Sequence, residues 1–156
     1  MTILEIFEKV NLIIPIEQRV FFNFFEDTVN ELQSLYGDFV FLKHVKEDNS
    51  QSDGSSNKAV DIYGNVYING NLEKDANFDE LMNSATSVDN EYTPPKSLND
   101  VNVVLPLYHN AIVDNILFLA NKGEHYKSEF IRKSRDAYLK YWNDNAKGRR
   151  IRRMRW

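Results

Sequence analysis

The chain contains no cysteine. Disulfides, thiolate zinc sites, iron–sulfur clusters and cysteine nucleophiles are therefore excluded. Long apolar runs are missing too, and the longest falls far short of a bilayer span. The opening is acidic, with Glu5 and Glu8 preceding the first lysine, Lys9, which is not the basic start of a secretory signal. Synthesis in the cytoplasm and no membrane partner are the expectations. Histidine is scarce: His44, His109 and His125 stand far apart in the sequence, and base or metal chemistry needs groups that converge. There is no glycine loop to cradle phosphate, no nucleophile elbow and no His-Glu-x-x-His. The residues point to a protein without enzymatic activity, cofactor or metal.

What is present is a chain of 156 residues, 42% hydrophobic and 27% charged, enough for one well-packed domain. The net charge of −4 conceals a division. Residues 1–121 carry seven Lys and Arg against nineteen Asp and Glu, a balance of −12, whereas residues 122–156 carry twelve against four, a balance of +8. Such a separation concerns partners or self-assembly rather than fold.

Periodicity divides the chain into three parts. Thr2 with Glu5 three residues on predicts a capping box opening a helix from Ile3 to about Asn11. Pro15 predicts the first turn of a second helix. Over Glu17–Tyr36 the apolar residues Val20, Phe21, Phe24, Phe25, Val29, Leu32 and Leu35 keep helical spacing, and Gly37 supplies the stop. Phe21, Phe24 and Phe25 belong to the core; Phe22, off that stripe, is the candidate for a subunit contact. The middle reads as β, with Phe39–Val45 first, then a polar loop over Lys46–Lys58. A hairpin follows, formed by Ala59–Tyr63 and Val66–Ile68 about Gly64-Asn65. Beyond Asn69 little periodicity survives apart from one helical turn at Phe78–Met82 and a break at Thr93-Pro94-Pro95. Asp48, Asp53, Asp61 and Asp75 resemble a calcium loop in composition but lack its spacing, and are expected to be solvated loop residues.

The last third is helical again. Leu105, Tyr108, Ile112, Ile116 and Leu119 form one stripe, closed by Gly123. Tyr126, Phe130, Ala137, Tyr138, Tyr141 and Trp142 form a second, in a helix starting at His125. So short a turn implies an antiparallel pair, covered by the long helix near the start. The fold class is mainly α (α+β): one domain over 1–146, with four helices and a small β-insertion near 39–70, then a basic tail over 147–156. That tail holds Lys147, Arg149, Arg150, Arg152, Arg153 and Arg155 among Ile151, Met154 and Trp156. It suits a solvated arm, an arm on nucleic-acid phosphates, or a segment laid in an acidic protein groove. The three spaced apolar residues argue for the last, since a purely electrostatic arm has no use for them.

Taken together, the helix ending in Leu32-Gln33-Ser34-Leu35-Tyr36-Gly37, the insertion with Asp61-Ile62-Tyr63-Gly64-Asn65-Val66-Tyr67, Leu105-Pro106-Leu107-Tyr108 opening a helical hairpin, and Tyr138-Leu139-Lys140-Tyr141-Trp142 before an Arg-rich end resemble the head–tail connector (adaptor) proteins of tailed bacteriophages. The resemblance implies a structural virion protein at the head–tail interface, in a ring, usually twelvefold, beneath the portal. It also implies further tail or ring proteins as neighbours and DNA passing through the lumen without specific binding. Residues Lys147 to Trp156 would be the portal-docking segment. An acidic surplus suits a DNA conduit, and a head-to-tail ring lets an acidic flank meet a basic helix. The alternative is a small phage or bacterial nucleic-acid-binding protein using the Arg-rich tail.

Overall fold

The computed structural model describes residues 1–47, 57–88 and 92–146. Helix α1 (Ile3–Ile13) opens on the capping box: the Thr2 hydroxyl accepts the Glu5 N–H at 3.1 Å and the Glu5 carboxylate accepts the Thr2 N–H at 2.7 Å. Its inner stripe, Ile3, Ile6 and Val10, is buried, and Phe7 meets Phe21 edge-on at 5.2 Å. Pro15 does not open the next helix. The Asn11 side chain accepts the Ile16 N–H at 3.1 Å, which holds the link in a turn of its own, and α2 (Gln18–Tyr36) starts after Glu17. Phe21, Phe25, Val29 and Leu32 of α2 are buried, while Phe22 and Phe24 are half-buried against the same core. Gly37 ends the helix at φ 62° and ψ −139°, a conformation that a side chain opposes.

The run after Gly37 is only partly β. Residues Gly37–Val40 close a 3₁₀ turn before β1 (Lys43–Glu47) begins. Strands β2 (Lys58–Val60) and β3 (Val66–Ile68) form the expected hairpin, Val60 opposite Val66. The insertion is larger than its hydropathy suggests, because β4 (Asn71–Glu73), α3 (Phe78–Ser84) and β5 (Ala85–Val88) carry it on to Val88. Five antiparallel strands lie in the order β4-β3-β2-β1-β5. Val45, Val60 and Val66 pack with Leu81 of α3 in a small second core. The expected polar loop is shorter at both ends, since Lys46 and Lys58 lie in strands; residues 48–56, with Asp48 and Asp53, lie outside the described residues.

A 3₁₀ turn at Pro106–Tyr108 leads into α4 (His109–Leu119), and α5 (Glu124–Ala146) follows. The stop between them is Asn121 rather than Gly123. Asn121 takes φ 61°, the Lys122 N–H reaches back to the Leu117 carbonyl, and the Asn121 N–H to that of Phe118. This pattern satisfies the last carbonyls of a helix. Helices α4 and α5 are antiparallel: Lys127 reaches Asn115 near the turn, and Lys133 pairs with Asp114 at 2.6 Å farther along. Ile112, Ile116, Phe130 and Tyr141 are buried with Phe21, Phe25 and Leu32 in the main core; Leu119 and Tyr138 are half-buried. The fold is α+β, and the described residues form five α-helices and a five-stranded antiparallel sheet rather than four helices and a hairpin.

Candidate functional site

Helix α5 leads to the basic segment, so what fixes its far end determines where that segment starts. Asp61, expected to be a solvated loop residue, is buried at 5% exposure. Its Oδ1 accepts the N–H groups of Tyr63 (2.9 Å) and Asn65 (2.8 Å), and its Oδ2 accepts the Asn65 side-chain amide at 2.8 Å. A carboxylate holding several donors at once rigidifies the five-residue turn between β2 and β3. The Asn65 amide also donates to Asn145 Oδ1 at 2.6 Å, and the Asn145 amide donates to the Tyr141 carbonyl at 2.9 Å. The turn thereby clasps the last turn of α5. Burial, and then the Asp61 charge, pushes the Tyr67 and Tyr141 hydroxyls above the usual phenol range.

Rings complete the clasp. Phe39 touches Tyr63 at 5.8 Å, Tyr138 at 5.8 Å and Trp142 at 6.1 Å. Tyr36 stacks on Tyr138 at 4.9 Å, and Tyr63 meets Tyr141 at 5.2 Å. Of the α5 stripe, Tyr138, Tyr141 and Trp142 thus pack against rings elsewhere in the molecule. Nearer the start of α5, Asn115 is fully buried and donates to Thr28 Oγ1 at 2.9 Å. Lys127 joins Asn115 and Glu31 and lies 4.8 Å from the centre of the Phe130 ring. Polar contacts between α2, α4 and α5 thus set the rotation of α5 near its start. Lys147, Arg149, Arg150, Ile151, Arg152, Arg153, Met154, Arg155 and Trp156 lie outside the described residues.

A second feature escaped the sequence. A cleft of about 530 Å³ opens between the start of α1, the sheet and the segment before α4, lined by Leu42, His44, Ala59, Asn69, Asn102 and His109 among others. His44 and His109, 65 positions apart, share it. His109 is buried at its base. Its Nε2–H donates to the Val104 carbonyl at 2.8 Å, and its Nδ1 accepts from the Met1 amino group at 2.7 Å. Asn102 donates to the Met1 carbonyl at 3.0 Å, closing the ring of contacts. Burial, reinforced by the nearby amino group, lowers the His109 pKa to about 4, so the ring is neutral at physiological pH. Both its nitrogens are occupied by structural partners, which fits a fastener between α1 and α4. His125 lies against Tyr126, ring centres 4.0 Å apart. Among the described residues no group of three or more His, Asp or Glu is placed to hold a metal ion, and no helix is long and apolar enough to cross a membrane.

The chain matches no family model, no curated protein and no solved structure.

Proposed function

We propose that the chain is a structural virion protein, a head–tail connector that forms a ring beneath the portal and joins capsid to tail for DNA passage. The observation that carries this reading is the clasped end of α5, where Asp61, Asn65 and Asn145 hold the helix from which the basic, apolar-studded segment continues. A docking segment held at its root loses less freedom on binding, so more of its contact energy appears as affinity. The division of charge, −12 over residues 1–121 and +8 over residues 122–156, supports head-to-tail contact between copies, an acidic flank meeting a basic one.

The test is binding to the portal protein of the same phage, with the full chain and with residues 147–156 removed. The connector reading expects binding that the deletion abolishes. A full chain that ignores the portal and instead binds duplex DNA with a steep salt dependence, lost on the same deletion, would establish the nucleic-acid reading in its place.

A further inference from the structure

Two helices carry exposed ridges that match each other. On α1, Leu4, Glu8 and Leu12 follow at steps of four and all face solvent, Leu12 at 86% exposure. On α5, Ile131, Arg135 and Leu139 follow at the same steps and are exposed too. One ridge reads apolar–acid–apolar and the other apolar–base–apolar. Residues at i, i+4 and i+8 form the ridges that interdigitate when two helices cross at about −50°. Both patterns are palindromic, so either direction of crossing sets Glu8 opposite Arg135.

The charges in these ridges are uncommitted. The neighbouring cations of α5 are engaged inside the chain: Arg132 with Glu129 and Asp136, Lys133 with Asp114, and Lys140 with Asp144. Glu8 and Arg135 have no ion-pair or hydrogen-bond partner among the described residues. Each ridge is widened by apolar surface. Ile13 is exposed beside Leu12, and a step of four from the Glu31–Lys127 pair reaches exposed Leu35 on α2 and Ile131 on α5.

We infer that the α1 ridge Leu4-Glu8-Leu12 of one copy packs on the α5 ridge Ile131-Arg135-Leu139 of the next. The inference rests on the ring reading and names its contact. Because two different patches meet, the contact is heterologous, and a heterologous contact closes into a ring or runs on as a filament. Apolar flanks exclude water from the central pair, which is the arrangement that gives a charge pair directional value.

The test uses charge reversal on the full chain, read by light scattering and sedimentation over a concentration series, with and without portal protein. Glu8→Arg alone and Arg135→Glu alone are each expected to weaken association by about tenfold or more, because like charges then face each other. Mixing the two single variants restores it, since every contact in an alternating assembly regains an acid and a base. The absence of cysteine allows a second readout that captures weak contacts. Glu8→Cys combined with Arg135→Cys should yield an oxidised ladder of 8-to-135 links, whereas each single cysteine variant stops at dimers. Both positions are on the surface, and unchanged thermal melts of the variants confirm that folding is intact. If the wild-type chain associates and both charge-reversed variants associate equally well, with no 8-to-135 link, the ridge pairing is overturned and the ring is left standing. A wild-type chain that stays monomeric at every concentration and with portal protein overturns both.

Discussion

At the scale of single residues, two buried polar groups govern behaviour that the rest of the core cannot. Asp61 satisfies three N–H donors although it is buried at 5% exposure. Asp61→Ala leaves them without acceptors, so a loss of about 2 kcal/mol or more is expected in urea unfolding. Faster amide exchange over residues 141–146 should accompany it, because the clasp on α5 goes with the turn. His109 makes stability depend on pH. Its pKa is about 4 in the folded chain against about 6.5 unfolded, so between these values the unfolded chain binds more protons. The contribution of neutral His109 is complete above pH 6.5 and is lost as pH falls toward 4, at up to about 1.4 kcal/mol per pH unit. Melting curves should therefore shift down across that window, and His109→Gln should flatten the shift. An equal acid shift in the variant would assign it to other groups.

At the scale of elements, the local signals were legible where one helix supplies its own instructions. Thr2 and Glu5 complete the α1 cap with no help from distant residues, and Gly37 ends α2 by backbone freedom alone. Thr2→Ala should lower the melting temperature through a loss of about 1 kcal/mol. The apolar stripes of α4 and α5 were readable for the same reason, and Phe130→Ala should cost about 3–5 kcal/mol by emptying space in the main core. A loss below about 1 kcal/mol would mean that the core closes up around the gap. The shortfalls have physical causes too. Strand β4 is three residues long and wholly exposed, so it has no inward face for alternation to reveal. Pro15 fits a helix start, but Asn11 captures the next N–H first. Asn121 and Gly123 both permit a left-handed stop, and hydrogen bonds back to Leu117 and Phe118 select Asn121. Asp61 looks like any loop aspartate until Asn145, 84 positions away, is brought against its turn. His44 and His109 converge only once the sheet has folded onto the bundle.

At the scale of the whole molecule, the ring reading predicts an order of effects at the terminus. Isolated protein should be monomeric or weakly associated, and portal protein should drive it into a ring, seen as a step in light scattering. Buried aromatic groups tend to dominate binding energy, so Trp156→Ala should weaken portal binding by about 2 kcal/mol or more. An exposed ion pair contributes about 1 kcal/mol at most, so neutralising any single arginine should matter less. Titration calorimetry of Trp156→Ala beside Arg150→Gln and Arg153→Gln decides it. Intact binding for the tryptophan variant, with binding lost on neutralising two arginines, would mark the segment as a charge-driven arm and reopen the nucleic-acid reading.

The clasp at the end of α5 also has a mechanical side. Helix α5 has 23 residues and is about 35 Å long, so tension applied beyond Ala146 enters the molecule through a stiff rod. Near its point of entry stand the Asn145–Asn65 hydrogen bond and the Asp61 turn behind it, not the apolar packing of α4 and α5. Under a pulling force the sheet and the helical bundle would share strain through that short bridge. Single-molecule extension from the C-terminal end should register its rupture as a small early yield ahead of the main unfolding event, and the yield should vanish in Asp61→Ala.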